Sequence, residues 1–587
     1  MNELYFLEEK YESRKPEAPQ EVSDTMQLLF QFFGVVAIML GIWYLHYRWT
    51  ASLNMDALWF AIPLAFAETM MFIGTILVVI NFWKPNDTPK KSAPKTMDEV
   101  VEDNLAENYQ DQKIKIDVYI PVFNEDPELV RQTIFSAKAV RKLPTWDVCY
   151  YLLDDSGNKE MSKMAKEEGV PQILRTSSKG RKAGAITNAM DESLGHFIVI
   201  IDSDTRLFPD ILLNTMGYFK DDAVAWVQTP QWFCDLTEGE ALEKSWKRKY
   251  GKFGEKFANG VQKFMGKMKT GEDVFANEPA MFFDVIQRRR NNYNASFCCG
   301  ATSIHRTSAL RRVAISRWVD RILETPEGAE RKRAIEEIDV EYISFHTSED
   351  IYTSLLVHAY ERKKYKSVFH PDVESKMLSP MDLITWSAQR FRYAGGTIDL
   401  ISKEFGRFFK KGLSLGQKLM YFSTFWSYTG AIWLVILLSS PIIFMFTNIA
   451  PVQSYSMDFF IHLIPFLFVN QVALMIATWG INSNRGGQFF IAISPIVLKA
   501  FWDVIRRRPI KFVVTSKTAK SGNFLGLVKV QLALIGLYAI AVVYSTVLHF
   551  TGDRIFLTGY SVNLMWSLFN MLSLWTIIQA SLFKYKE

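Results

Sequence analysis

The sequence predicts an α/β domain with a mostly parallel, doubly wound sheet, inserted between transmembrane helices. Three observations predict it. Strand-like and helix-like segments alternate between residues 116 and 228, the pattern of a sheet with crossover helices. The run Phe197–Ile201 is apolar throughout, as in a strand buried on both faces of a parallel sheet. Six apolar runs, each near the ~20 residues that cross a bilayer, stand outside this region.

Those runs are Leu28–Tyr47, Ala57–Trp83, Leu419–Phe446, Phe459–Ile481, Phe524–Phe550 and Gly559–Phe583. A seventh, Phe489–Ile505, is shorter and carries Lys499 and Asp503, so it reads as an interfacial amphipathic helix. Charge supports this count. The first inter-span loop holds only Arg48, the loop after Phe446 no Lys or Arg, and the loop before Gly559 only Arg554, whereas Lys84, Lys90, Lys91 and Lys95 follow the second run. Arg485 and Arg506–Arg508 lie in the loop after the fourth run. Six spans put every basic loop, both termini and the α/β domain in the cytosol. The acidic, polar first 25 residues do not form a secretory signal. Cys149, Cys234, Cys298 and Cys299 fit no zinc spacing and would not be disulfides in a cytosolic domain. Net charge is +5 and no nucleic-acid module is visible, so no nucleic-acid partner is expected.

Residues 84–113 read as a linker, rich in Pro, Lys, Asp and Glu. Then come a strand at Ile116–Pro121, a helix at Glu128–Val140, a strand at Val148–Leu153 ending in Asp154-Asp155, and a helix at Lys159–Glu168. A short strand at Gln172–Arg175, a helix at Arg181–Leu194 entered through Gly180, the central strand, a helix at Pro209–Phe219 and a strand at Ala223–Gln228 follow. Asp202 and Asp204 emerge at the carboxyl end of the central strand, where open α/β sheets place ligands. Two carboxylates one residue apart suit a hard divalent cation on a diphosphate. Asp155 would accept from the imide N–H of a uracil, unless Asp154-Asp155 only stabilises its turn. Lys182, just behind a glycine at a helix start, would approach phosphate. No Walker A or Gly-x-Gly-x-x-Gly motif is present, which removes the usual ATPase and dinucleotide readings.

Asp155, Asp202-Ser-Asp204, Ser348-Glu349-Asp350 and Gln389-Arg-Phe-Arg392-Tyr393 resemble the D, DxD, (T/S)ED, QxxRW set of processive family-two glycosyltransferases, the membrane-embedded synthases that include cellulose, chitin and hyaluronan synthases. The resemblance covers nearly the whole chain and implies a GT-A catalytic fold. Phe297-Cys-Cys299-Gly300 is similar to the segment beside the acceptor sugar in cellulose synthases. Phe512-Val-Val-Thr515-Ser-Lys517 matches their gating loop and argues for the cellulose-synthase-like branch. The resemblance implies Asp350 as general base with Glu349 beside it, and Mg²⁺ or Mn²⁺ on Asp202 and Asp204. It implies a substrate-binding set of Asp155, Asp154, Lys182, Gln389, Arg392, Tyr393, Cys299, Trp232, Thr515 and Lys517. Tyr393 stands where the family has Trp, which in relatives stacks under the terminal acceptor sugar, and this puts strict 1,4 linkage in question.

The resulting expectation is an inverting, processive β-glucan synthase of the plasma or inner membrane. It would transfer glucose from UDP-glucose to a nascent β-1,4 or mixed β-1,3/1,4 glucan and pass the polymer through the bilayer. The aromatic residues Tyr421, Phe422, Phe425, Trp426, Tyr428 and Trp433 would line the path or face lipid, and Glu68 would meet polymer or pair with another buried group. The expected layout is a cytosolic segment (1–27), two spans (28–83), the linker (84–113), the GT-A domain (114–375), interface helices with the QxxRY motif (376–416), two spans (417–481), an interface helix and gating loop (482–523) and two spans (524–583). With Phe583 so near the end of the chain, a C-terminal cyclic-di-GMP-binding domain is not expected. The rival readings are a chitin or other β-polysaccharide synthase, a non-processive transferase loading a lipid carrier, and a catalytically silent export or assembly subunit.

Overall fold

Two long apolar helices open the computed structural model, which describes residues 9–19, 21–102, 112–175, 177–236, 239–271, 273–275, 277–380, 382–409, 411–481, 483–510, 522–551 and 557–583. They are α1 (Asp24–Thr50) and α2 (Leu58–Asn81). Small residues let them approach closely, as between membrane helices: a Cβ on Gly41 would lie 2.1 Å from the Phe72 ring. Arg48, the one basic residue expected in the first loop, instead sits fully buried in the last turn of α1. Its Nε donates to Glu68 at 2.9 Å, its Nη1 to Ser52 Oγ at 3.2 Å, and the Tyr44 hydroxyl donates to the same Glu68 oxygen at 3.1 Å. Of the two readings of Glu68, pairing with a buried group is the one observed.

The α/β domain follows. Its strands are β1 (Ile114–Val122), β2 (Trp146–Asp154), β3 (Gln172–Leu174), β4 (Phe197–Ile200), β5 (Val224–Gln228), β6 (Ser303–Arg306) and β7 (Lys366–Phe369). They form one sheet in the order β7-β5-β6-β4-β1-β2-β3, a GT-A-like mixed sheet. The pairs β1–β2, β1–β4, β2–β3 and β5–β7 are parallel, and β6 runs antiparallel to both β4 and β5. Strand β4 is buried at every position, as its apolar run requires. Two apolar layers cover the sheet, one containing Val130, Ile134, Phe197 and Phe219, the other Ile186, Met190, Ile198 and Trp226.

Strand β6 went unpredicted because Ser-Ile-His-Arg carries no apolar pattern. It is nonetheless wholly buried. Burial of its charge is compensated by hydrogen bonds: Arg306 donates to the carbonyls of Val224 at 3.0 Å and Phe219 at 2.7 Å and lies over the rings of Phe197 and Phe219. The helix expected over Pro209–Phe219 is a short α-turn at Ile211–Thr215 continued as 3₁₀ helix over Met216–Lys220. Part of the expected linker is domain structure. Met97 and Val100 join the sheet's core, the Trp146 indole donates to Pro94 O at 2.9 Å, and Arg312 pairs with Glu102 at 2.7 Å.

Helices α3 (Arg181–Glu192), α4 (Glu349–His358) and α5 (Leu383–Glu404) carry site residues. Beyond them lie α6 (Leu415–Thr447), α7 (Met457–Ala477), α8 (Ser483–Ala492), α9 (Ser494–Ile505), α10 (Lys529–Phe550) and α11 (Leu557–Ser581). Among the described residues α1, α2, α6, α7, α10 and α11 are long and apolar enough to cross a membrane, so this is a multi-pass membrane protein. The single interfacial helix expected over Phe489–Ile505 is the pair α8 and α9, bent by 47°. Pro495 at the start of α9 lacks the N–H that would continue the helix.

The Arg48–Glu68 pair predicts a specific stability pattern. Arg48→Met leaves Glu68 buried without its counter-charge and should cost about 3–5 kcal/mol. Thermal unfolding of the full protein in detergent should show a clear loss for that variant, and Arg48→Met/Glu68→Met should recover most of it.

Candidate active site

The carboxyl ends of β1, β2 and β4 point to one side of the sheet, and the polar residues that follow them are built into turns. After β4, Thr205 N–H donates to Asp202 O at 2.9 Å, Thr133 Oγ1 donates to Ser203 O at 2.7 Å, and Leu378 N–H donates to Asp204 Oδ2 at 3.1 Å. Asp204 is thereby held buried, whereas the Asp202 side chain is 43% exposed. After β2, Asp154 is spent on structure: its Oδ1 accepts from Ser156 N–H and Oγ, and its Oδ2 accepts from Gln172 at 2.8 Å. Asp155 is gripped by the guanidinium of Arg175, whose Nε donates to Oδ1 at 2.8 Å, and Arg175 also donates to Lys179 O and Arg181 O. The carboxylate expected to read a uracil is thus oriented by a fork that the sequence reading did not single out. Its signal was a lone Arg at the end of a short edge strand, which has no motif.

Gly180 precedes α3 at φ 72°, and a Cβ there would lie 2.7 Å from the Phe345 ring. That close approach seats the first turn of α3 against the segment leading to α4. Lys182 then reaches across to form an ion pair with Asp202. Its neighbours also include Glu349 and Asp350, at the start of α4. Burial opposes the Lys182 charge, but Asp202, Glu349 and Asp350 outweigh it and raise its pKa. Burial likewise raises the Glu349 and Asp350 carboxyls, and the Asp350 charge raises Glu349 further. Lys182 and Arg392 pull both back toward ionisation. Gly300 lies between the two sides: a Cβ on it would be 3.6 Å from Lys182 Nζ and 3.8 Å from Asp350 Oδ2, and its φ is 88°. The backbone there favours glycine, and glycine keeps the space open.

Helix α5 closes the other wall. Its N-cap Asp382 accepts from Thr385 N–H at 2.7 Å, and Trp386 is buried against Phe275 and Phe489. A Cβ on Gly396 would lie 2.0 Å from Ser348 Oγ, and His346 bridges Asp399 at 2.9 Å and Ser348 N–H at 3.1 Å. The Ser348–Asp350 turn is therefore seated on α5. Gln389 and Arg392 are half-buried, and Tyr393 is 38% exposed with the Arg392 guanidinium 5.4 Å from its ring centre. Cys299 sits in a loop held by two buried amides. Gln228 Oε1 accepts from Cys299 N–H at 2.7 Å, and Gln287 accepts from Phe297 N–H at 3.3 Å and donates to the Cys299 sulfur. Burial raises both neighbouring thiols, Cys298 to about 12, so they are neutral. Among the described residues Lys182, Asp202, Glu349, Asp350, Arg392 and Cys299 thus come together, with Arg175, Gln228, Gln287 and His346 as unpredicted supports, while Asp154 is taken up by its own turn.

Trp232 lies apart from them. It lies on a separate cavity of about 390 Å³ with Arg14, Asp273, Glu278 and Trp479, and the Arg14 guanidinium stands 5.6 Å from its ring centre. Thr515 and Lys517 lie outside the described residues. The donor chemistry of Asp202 and Asp204 fits a hard divalent cation: both are carboxylates, one is partly exposed, and the turn between them is clamped from two sides. No cluster of three or more potential protein ligands occurs among the described residues.

Residues 117–314 match the family model described as Glycosyl transferase family 2. The chain is 24% identical over 565 residues to the cellulose synthase 1 catalytic subunit [UDP-forming] of Komagataeibacter xylinus, covering 93% of this chain and 66% of that protein. It is 22% identical over 484 residues to the cellulose synthase catalytic subunit [UDP-forming] of Pseudomonas fluorescens (strain SBW25), covering 78% of this chain and 55% of that one. The chain therefore spans less than two thirds of the length of these relatives. The solved structure of the mannosyltransferase PcManGT from Pyrobaculum calidifontis in complex with GDP-Man and Mn²⁺ aligns with 75% of this chain and 99% of its own, at 11% identity and a TM-score of 0.43. Residues 117–314 thus carry a family-two glycosyltransferase domain, in a chain that has six helices long and apolar enough to cross a membrane and that is similar to cellulose synthase catalytic subunits.

Proposed function

We propose that this glycosyltransferase is a processive, inverting β-glucan synthase that takes glucose from UDP-glucose and passes the growing chain across its membrane. The observation that carries this reading is the gathering of Lys182, Asp202, Glu349, Asp350 and Arg392 around the open space at Gly300. Such a constellation can bind a diphosphate on one side and remove a proton on the other. Similarity to UDP-forming cellulose synthase subunits over most of the chain supports the donor and the product class.

In this mechanism Asp350 takes the proton of the attacking acceptor hydroxyl, a contribution of ~10²–10⁴-fold for a positioned general base. Glu349 and Asp350 share a buried, cation-flanked environment, so the site holds one proton on the pair more readily than an exposed carboxylate would. Arg392 offers a planar fork to the diphosphate and Lys182 a point charge. Asp202 and Asp204 would hold Mg²⁺ or Mn²⁺, which supplies Lewis-acid stabilisation to the departing UDP. Asp155, oriented by Arg175, takes the uracil imide. Gln389 hydrogen-bonds beside Arg392, and Tyr393 and the Cys299 loop seat the acceptor. Thr515 and Lys517 would contact the nucleotide, as the resemblance of their segment to a gating loop implies. The catalytic domain and both termini face the cytosol, as the basic loops require, and the aromatic residues of α6 offer stacking faces to a polymer leaving between the spans. The layout of domains stays as the sequence suggests, with 84–102 assigned to the catalytic domain. Tyr393 in place of Trp favours mixed 1,3/1,4 linkage over pure 1,4 linkage, because a smaller platform with an added hydroxyl seats the terminal sugar less strictly.

Four predictions test this. Purified protein in vesicles with UDP-glucose and Mg²⁺ or Mn²⁺ should make high-molecular-weight glucan, and Asp350→Asn should make none. Lichenase should release oligosaccharides from the product, and Tyr393→Trp should shift the linkage toward 1,4. A product of N-acetylglucosamine or a glucosylated lipid would replace the reading with one of its rivals. The pH profile of kcat/KM should show an acidic limb above the ordinary carboxylate range, since Asp350 must be ionised and burial raises its pKa. Finally, Gly300→Ala should keep the fold in circular dichroism yet lower kcat by roughly tenfold or more, because a methyl group and a strained backbone enter the space between Lys182 and Asp350.

A further inference from the structure

A helical hairpin outside the site stands on the catalytic domain at the membrane helices. The chain is helical from Leu242 to Met265 except at Gly251, where φ 64° and ψ −152° turn it back on itself. The return is seen in the contacts: Trp246 stacks on Phe257 at 5.3 Å and 7°, Lys247 pairs with Glu255 at 3.0 Å, and Gln262 donates to Glu243 at 2.9 Å. Two short strands, Glu240–Ala241 and Lys269–Thr270, close the base. A small apolar seam of Leu242, Trp246, Ala258 and Val261 holds the arms together.

The base is fixed where the fourth span ends. A Cβ on Gly266 would lie 2.6 Å from Gly480 N and 2.8 Å from the Trp479 indole nitrogen, just past α7, and Arg485 donates to Val274 O at 3.1 Å. The bend carries apolar rings into solvent: Tyr250 is 62% exposed, Phe253 77% and Phe257 49%. Around them Lys244, Lys249, Lys252, Lys256 and Lys263 are exposed. Between residues 243 and 269 nine basic residues stand against two acidic ones. Exposed aromatic rings flanked by lysines, on an element anchored at a span's end, match the chemistry of an anionic bilayer surface, where rings enter the headgroup region and lysines meet lipid phosphates.

We propose that this hairpin docks its Tyr250–Phe257 bend onto the anionic headgroups of the membrane that the protein spans, and so braces the catalytic domain against the bilayer. The test uses the full protein in lipid nanodiscs, with a fluorescent amino acid at Phe253 and, as control, at Leu174 on the exposed edge strand β3. Discs contain brominated phosphatidylcholine with or without brominated phosphatidylserine. Loss of fluorescence at position 253 in the anionic discs, reduced without phosphatidylserine and absent at position 174, is the expected result. Lys249→Glu/Lys252→Glu/Lys256→Glu should abolish that loss while leaving thermal unfolding unchanged. Equal quenching in both lipids would overturn the anionic preference. No quenching at 253, or energy transfer between hairpins of two labelled copies in one disc, would overturn the proposal in favour of solvent or a second copy.

Discussion

Concentrating carboxylates in a partly dehydrated space requires a cation to sit among them, and in this protein that cation is Lys182. Its ammonium meets Asp202 on the strand side and Glu349 and Asp350 on the helix side. Without it, Asp202 at the end of β4 and the pair at the start of α4 would face each other as like charges across the opening at Gly300. The fold makes the meeting possible by local means: a left-handed Gly180 at the entry to α3, a Phe345 ring that fits only against glycine, and an amide-clamped loop that presents Gly300. Each is a backbone device, and each fixes the distance between groups that carry opposite charge.

The second constraint is mechanical. The Ser348–Asp350 turn and the helix bearing Gln389, Arg392 and Tyr393 belong to different parts of the chain, yet glycine contact and a histidine bridge join them. The base and the diphosphate-facing arginine then share one rigid wall. Helix α5 is itself packed through Trp386 onto Phe489 of α8, which follows the fourth span. The same helix packs through Phe391, Ala394 and Ile398 onto Ala431 of α6 and Val497 and Ala500 of α9, so the wall that bears Arg392 is continuous with the membrane-facing layer.

Much of this was legible in the sequence, for physical reasons that differ by element. Strand β4 and the spans could be read because burial on all sides demands uninterrupted apolar residues. The aspartates and Gln389–Tyr393 could be placed because their spacing follows strand ends and one helix face. Strand β6 could not, because its burial is satisfied by hydrogen bonds from Arg306 and by ring faces rather than by apolar side chains. Arg175, Gln228 and Gln287 were silent for a related reason: a scaffolding amide or guanidinium is chosen by its three-dimensional neighbours, and nothing in its local sequence marks it. Asp154 and Asp155 show the limit from the other side. They are adjacent and chemically alike, yet one is consumed by its own turn and the other is gripped by an arginine.

The loop at Cys298–Cys299 has a bearing on how the protein ages in a cell. Two sulfurs line a site that must stay open to solutes, a place where oxidants also arrive. Peroxides and electrophiles react with the thiolate, not the thiol. Because burial holds both groups protonated, the loop gains soft, polarizable packing atoms without becoming a redox sensor.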